Sequence, residues 1–261
     1  MFSPLAAPRV FSPLGTAEEN NTLPSDLANL ELWLRADDIT GADGDAVSAW
    51  VSREGSSYSF AATLTTRPLL RLGANGINSK PTVLFDGVND ALVLSSSIFN
   101  TSAGTIFAVI RFTSTLATGA QSIIGSGDEA SATRLVAAIS MLASATPTMR
   151  IFQRNNDVAT TATGNTSMIA AIPYRQMFRS SGTSYTLKVN NTVQTLTGTN
   201  NGDWFADTAN RDNTVIGANK VSSVVNFFKG DIAEIIVYGR ELSDIETSKI
   251  ENYLSDRYGA F

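Results

Sequence analysis

The feature that most constrains the fold is a strand-like segment near the C-terminus, Asp231–Tyr238, that is apolar on both faces. Its sequence, Asp-Ile-Ala-Glu-Ile-Ile-Val-Tyr, places apolar residues at all but two positions. Because side chains along a strand alternate between the two faces of a sheet, such a segment is stable only where both faces are covered. The segment therefore predicts an inner strand of a layered β protein.

A capped helix follows this strand. Ser243 is a favourable N-cap residue, and Glu246 three positions later completes a capping box. Gly259 is placed to end the helix, because glycine readily adopts the conformation that closes a helix C-terminus. The apolar stripe expected to pack on the rest of the protein consists of Ile245, Ile250, Tyr253 and Leu254.

The rest of the chain from residue 24 predicts about a dozen short strands separated by turn residues. The continuous apolar run Gly104–Phe112 is expected to be a central strand, and Met149–Gln153 a partly exposed one. A hairpin is expected to turn at Asn190 and Asn191. We find no alternation of strands and helices of the βαβ type. The pattern predicts an all-β fold, an antiparallel two-sheet sandwich with one short C-terminal helix, over residues 24–261.

Residues 1–23 form a different kind of segment. Phe-Ser-Pro-Leu occurs twice, and its prolines favour an extended arm over a helix. Two interpretations are open: a disordered tail, as at many termini, or an arm that docks on its own domain, on a second copy or on another protein. The residues expected to make such contacts are Phe2, Leu5, Phe11 and Leu14.

Composition excludes several functions. The chain has no Cys and no His, which removes thiol catalysis, Ser-His mechanisms and the usual zinc sites. Its net charge of -5 disfavours a nucleic-acid surface. We find no run of about 18–20 apolar residues, so no membrane insertion is expected. Prolines interrupt any apolar core of a signal peptide, so we expect no signal peptide.

An ordered set of short motifs resembles one family. The first half comprises Leu32–Asp37, Asp43–Asp45 before Trp50, and Lys80-Pro81 before Phe85–Gly87. The second half comprises Ile216-Gly217, Gly230–Tyr238, and Leu242-Ser243 through Gly259. Over residues 24–259 the chain resembles the concanavalin A-like lectin/glucanase superfamily, and more narrowly the laminin-G-like jelly-roll domains of bacterial surface and phage virion proteins. The resemblance implies a jelly roll of two curved antiparallel sheets and a function in binding or adhesion.

Some members of the superfamily are glycosidases, which place two glutamates and an aspartate alternately on one strand. Here Lys229 stands in the place of the first glutamate. Asp231 and Glu234 are an odd number of residues apart, so a regular strand sends them to opposite faces. We therefore expect no enzyme activity. Glu234 is interpreted as a carboxylate paired with an arginine, with a catalytic role as the alternative.

Calcium is the cofactor that the resemblance and the ligand chemistry allow. One loop supplies hard oxygen ligands from Asp37, Asp38, Asp43 and Asp45, and a second turn supplies them from Asp86, Asn89 and Asp90. Ordinary turns use the same residue types without a metal. Ser52 stands where members of the family often have an aspartate, which weakens the comparison.

Aromatic side chains on loops are candidates for sugar contacts. Trp204 and Phe205 lie in a polar loop and are the residues that we assign to a carbohydrate site, with packing in the core as the alternative. Trp50 and Tyr58 are further candidates, although a tryptophan usually packs in the core.

The sequence favours a non-enzymatic structural or adhesion protein. The leading hypothesis is a phage virion component, a capsid decoration or a tail or fibre protein, that docks through its arm on virion proteins or on itself as a homo-oligomer. The alternative is a glycan-binding module that recognises host-surface carbohydrate. In the first case the protein resides in the virion after synthesis in the host cytoplasm.

The arm hypothesis predicts a difference in mass between two forms of the protein. The full chain is expected to oligomerise, and a chain that begins at Leu23 is expected to be monomeric, because the apolar residues of the arm need a surface to cover them. Light scattering of both forms measures this. Equal masses for the two forms would contradict a role of the arm in self-assembly.

Overall fold

The computed structural model describes residues 22–54, 58–113, 119–143 and 147–261. The four predicted docking residues, Phe2, Leu5, Phe11 and Leu14, lie outside them. The first ten strands are β1 (Leu30–Arg35), β2 (Ala49–Val51), β3 (Ser59–Ala61), β4 (Leu69–Arg71), β5 (Thr82–Asp86), β6 (Leu92–Leu94), β7 (Gly104–Phe112), β8 (Gly119–Asp128), β9 (Ser131–Ala143) and β10 (Thr148–Asn155). The remaining elements are β11 (Val158–Thr163), β12 (Tyr174–Ser180), β13 (Tyr185–Val189), β14 (Thr192–Val193), β15 (Thr197–Gly198), β16 (Thr214–Ile216), β17 (Asn219–Lys220), β18 (Val224–Val225), β19 (Lys229–Tyr238) and α1 (Asp244–Tyr258).

The first sheet, sheet A, is built around β19. Its strand order is β14-β13-β12-β7-β19-β5-β4, and β1 also pairs with β19. On one side β19 pairs with β7 along nearly its whole length. On the other side its first half pairs with β5 and its second half with β1. All of these pairings are antiparallel, and the predicted inner position of this strand is confirmed.

The second sheet, sheet B, has the order β15-β11-β10-β9-β8-β16-β6-β3-β2. The largest buried apolar cluster lies between the two sheets, with Leu32, Ile106 and Phe178 contributed by sheet A and Trp50, Phe60, Met149 and Ile216 by sheet B. The short β17–β18 ribbon packs beside β8 and β16. The predicted antiparallel sandwich is therefore confirmed.

The helix α1 forms a third layer on the outer face of sheet A. Its side chains Ile250, Leu254 and Tyr258 pack on Trp33 and Phe107 in a second apolar cluster. Ser243 and Glu246 form the predicted capping box, and Gly259 ends the helix with a φ of 90°. In the described part of the chain no helix is long and apolar enough to cross a membrane.

The predicted apolar stripe of the helix is wrong at one residue, Ile245. Ile245 is 73% exposed, whereas Ile250 and Leu254 are buried. Each residue of an α-helix turns by about 100°, so a residue five positions before Ile250 points about 140° away from it. Ile245 therefore lies outside the stripe that the other three residues form.

A β-bulge in β19 corrects the predicted faces of this strand. Ile232 pairs with Ile110, but Glu234 pairs with the adjacent Val109, so Ala233 is an extra residue. The bulge inverts the alternation that follows it. Ile235 therefore faces the core between the sheets. Asp231 and Glu234, which a regular strand would separate, both lie on the outer face of sheet A.

Close packing at the start of β7 predicts a destabilising substitution. A Cβ atom on Gly104 would lie 2.3 Å from the indole Nε1 of Trp204. Because the indole is fully buried, Gly104→Ala is expected to lower the free energy of unfolding by about 1–3 kcal/mol, as measured by urea denaturation. In a Trp204→Phe background, where the smaller ring leaves space, the same substitution should cost less. An equal cost in both backgrounds would contradict the clash.

Candidate functional site

The four aspartates predicted to bind calcium do not converge on one point. Asp37 forms an ion pair with Arg257, and Asp38 forms ion pairs with Arg35 and Arg53 at 2.8 Å each. Asp43 accepts hydrogen bonds from the Leu72 N–H and from the Asn75 side chain at 2.8 Å each. Asp45 accepts a hydrogen bond from the Ala42 N–H at 2.7 Å. Within the four described ranges, no three acidic side chains are grouped closely enough to hold a metal ion together. Each carboxylate instead stabilises the local backbone or an arginine.

The second predicted calcium turn has a similar arrangement. One carboxylate oxygen of Asp86 accepts the backbone N–H groups of Val88, Asn89 and Asp90 at 2.7, 3.1 and 3.2 Å. Asp90 in turn accepts the N–H of Asp86 at 2.8 Å. Hydrogen bonds of this kind are what acidic residues supply in turns without a metal.

Trp204 and Phe205, predicted as sugar contacts, are both fully buried, so that assignment is wrong. The two rings meet edge to face at 5.4 Å, and Phe205 also meets Phe99 at 5.0 Å. The polar residues around the two rings form hydrogen bonds with the loop backbone. Asp207, for example, accepts a hydrogen bond from the Trp204 N–H at 2.7 Å. The polarity of the loop is therefore not a sign of exposed aromatic rings.

Glu234, the candidate catalytic carboxylate, is fully buried beneath α1. One of its oxygens accepts hydrogen bonds from Trp33 Nε1 at 2.6 Å and from the Tyr253 hydroxyl at 2.9 Å. The other accepts from the Tyr258 hydroxyl at 2.8 Å and lies 3.4 Å from Arg257 Nε. The interpretation as an arginine-paired carboxylate is confirmed, with three aromatic donors added. Its role in this position is to join α1 to sheet A.

The electrostatic state of Glu234 follows from its burial. Loss of solvent raises its pKa to about 7, even though the hydrogen bonds from Trp33, Tyr258 and Tyr253 act in the opposite direction. Asp231, on the same face, has separate partners: it accepts from Thr82 at 2.8 Å and pairs with Arg111 at 2.9 Å. Each carboxylate is thus committed to its own network.

The residues that sequence reasoning missed lie on β10. Arg150, Phe152 and Arg154 project from the face of sheet B that is turned away from the core, and we call them the Arg–Phe–Arg row. The guanidinium carbons of Arg150 and Arg154 lie 5.3 and 5.9 Å from the centre of the Phe152 ring. All three side chains are half-buried. The signal was present in the sequence as an i, i+2, i+4 pattern on a strand.

Strand β11 extends the surface around the row. Thr161 is paired with Phe152 and Thr163 with Arg150, so both hydroxyls lie on the same face as the row. Burial lowers the pKa of Arg150 from its usual value. Guanidinium groups donate paired hydrogen bonds to carboxylates, and an aromatic ring packs against the apolar face of a ligand. The row therefore has the chemistry to bind an acidic ligand that also has an apolar face.

A cavity of about 600 Å³ lies beside β2. We call it the β2 cavity. Asp38 and Asp45, two of the predicted calcium ligands, are among its lining residues, together with Thr40, Arg53 and Glu54. It is far from the row, at the other end of sheet B. The structure therefore has two candidate sites on one sheet.

No family model matches the sequence, and no curated protein matches it. Solved structures do. The CBM40 of the Ruminococcus gnavus IT-sialidase, bound to α2,3-sialyllactose, has a TM-score of 0.55 at 18% identity, covering 65% of this chain and 95% of the module. A leech intramolecular trans-sialidase has a TM-score of 0.55 at 20% identity, covering 71% of this chain and 28% of the other.

A Trypanosoma rangeli sialidase in complex with sialic acid has a TM-score of 0.59 at 14% identity. The match covers 90% of this chain but only 34% of the sialidase. At such identities the likeness shows the fold alone. That fold is an antiparallel β-sandwich, which confirms the predicted fold class.

The burial of Glu234 predicts a pH-dependent stability. Its ordinary pKa is 4.5 and its folded pKa is about 7, so the folded state binds the proton more tightly. The contribution of Glu234 to the free energy of unfolding is fully present below pH 4.5 and is lost as the pH rises through 7. The loss is on the order of 3 kcal/mol. Urea denaturation of wild type and Glu234→Gln from pH 4 to 8 should show a steeper decline for wild type. Parallel curves would contradict this assignment.

Proposed function

We propose that this chain is a carbohydrate-binding module that binds an acidic saccharide at the Arg–Phe–Arg row. The observation that supports this most directly is the pair of guanidinium groups over the ring of the half-buried Phe152. The binding is non-catalytic, because Asp231 and Glu234 are each held in their own hydrogen-bond network.

The charge of the row argues for an acidic ligand. The chain as a whole has a net charge of -5, yet this part of sheet B presents two arginines around one ring. A sugar carboxylate can accept charge-assisted hydrogen bonds from a guanidinium, and these are stronger than bonds between neutral groups. The hydroxyls of Thr161 and Thr163 can bond the neutral sugar hydroxyls beside it.

The similar structures suggest which ligand to test first. The Ruminococcus gnavus module was solved with sialyllactose and the Trypanosoma rangeli sialidase with sialic acid, and both ligands contain a carboxylate. This chain spans nearly the whole of the first protein and about a third of the second. Binding, rather than the reaction of a sialidase, is therefore the function that we propose.

The virion hypothesis stays a prediction from the sequence. The similar structures described above concern sialidases and their modules, and they support the glycan-binding alternative more than the virion assignment. The two hypotheses are compatible, because a virion decoration can also bind sugar. Homo-oligomerisation through the arm is tested by the light-scattering comparison above.

The proposed function predicts that α2,3-sialyllactose perturbs the row. Titration followed by ¹H–¹⁵N NMR is expected to shift the amide signals of Phe152 and Arg154, while lactose, which lacks the carboxylate, should leave them unchanged. Phe152→Ala and Arg154→Ala should each weaken binding by about tenfold or more, since each removes either the stacking surface or a charged donor.

Val158→Ala is the matched control. Val158 lies on the neighbouring strand β11 and is 68% exposed, so its truncation should leave both the fold and the affinity unchanged. If sialyllactose shifts no amide of β10 or β11, or if Phe152→Ala binds as tightly as the control, the row is not the carbohydrate site.

A further inference from the structure

The β2 cavity has the dimensions of a ligand site. Its volume of about 600 Å³ lies within the range that small-molecule sites usually have. Its lining residues come from the strand β2 and from the segment that precedes it, including Thr40 and Asp45. Val51 is 51% exposed on this strand, and the side chain of Ile39 contributes further apolar surface. The cavity is thus a polar cleft with apolar patches.

The free edge of β2 contributes main-chain groups to the cavity. Ala62 donates its N–H to the Ser48 carbonyl at 3.0 Å, and Ser52 donates to the Tyr58 carbonyl at 2.8 Å. In an antiparallel pair, residues between such positions point their N–H and C=O groups to the opposite side. Those of Ala49 and Val51 therefore point away from β3. Because β2 ends the order of sheet B, no described strand pairs with them.

The charges of the residues that line the cavity disfavour an acidic ligand. Asp38, Asp45 and Glu54 contribute three carboxylates, and Arg53 contributes the single lining guanidinium. Arg53 is also committed to Asp38, at 2.8 Å. An anion would be repelled, whereas a neutral ligand with many hydroxyl groups can donate to the carboxylates and accept from the free N–H groups. The side-chain hydroxyls of Thr40 and Ser48 add groups that both donate and accept.

We infer that the β2 cavity binds a neutral saccharide unit through the free main-chain groups of Ala49 and Val51. This site is separate from the Arg–Phe–Arg row. Six strand-to-strand steps lie between β10 and β2, which corresponds to roughly 30 Å across the sheet. The inference therefore stands or fails independently of the acidic-saccharide site.

The test uses the full chain and follows the amide signals of Ala49 and Val51 during titration with lactose, maltotriose and cellotriose. At least one of these sugars is expected to shift both signals at millimolar concentration. Val51→Pro removes one free N–H without touching the β2–β3 ladder, because that N–H points away from β3. It should weaken binding by about tenfold, while Val51→Ala, which keeps the N–H, should bind nearly as wild type.

Two further variants serve as a replacement for Val51→Pro and as a control. If Val51→Pro does not fold, Thr40→Val removes a lining hydroxyl at nearly constant volume and should also weaken binding. Phe152→Ala should leave the titration unchanged, because the row is distant. The inference is overturned if none of the three sugars shifts Ala49 and Val51, or if Val51→Pro and Val51→Ala bind equally. It is also overturned if removing residues 1–22 shifts these two signals, which would mean that the N-terminal residues occupy the cavity.

Discussion

The structure depends on β19, which pairs with three strands and packs against the helix α1. Its first half pairs with β5, its second half with β1, and nearly its whole length with β7, while α1 covers its outer face. The bulge at Ala233 makes this possible, because it turns Glu234 toward the helix while Ile235 continues to face the core. The buried carboxylate then receives donors from β1 and from α1, so one acidic group joins two strands and the helix.

Local signals in the sequence predicted much of this architecture. The uniform apolar character of Gly104–Phe112 and the capping box at Ser243 each depend on a few neighbouring residues, and both are confirmed. The bulge could not be predicted in the same way. Strict alternation is the simplest assumption for a strand, and the extra residue at Ala233 is decided by pairing with β7, which lies more than a hundred residues away in sequence.

The candidate sites could likewise be predicted only in part from the local sequence. The polar loop around Trp204 predicts an exposed ring, but its polar side chains bind the backbone around a buried ring. The row on β10 had a visible period of two, yet the significance of Phe152 depends on the two guanidinium groups that surround it in space. The free edge of β2 follows from the order of sheet B, which no local pattern specifies.

The two proposed sites lie at opposite ends of sheet B, the Arg–Phe–Arg row on β10 and the cavity at the edge of β2. The helix α1 covers the part of the outer face of sheet A around Trp33 and Phe107, and the β17–β18 ribbon packs beside β8 and β16 of sheet B. The charges of the two proposed sites differ in sign, so the sites would select different sugars. At roughly 30 Å apart they would engage separate branches of a glycan surface, where two weak sites on one rigid sheet raise the overall affinity.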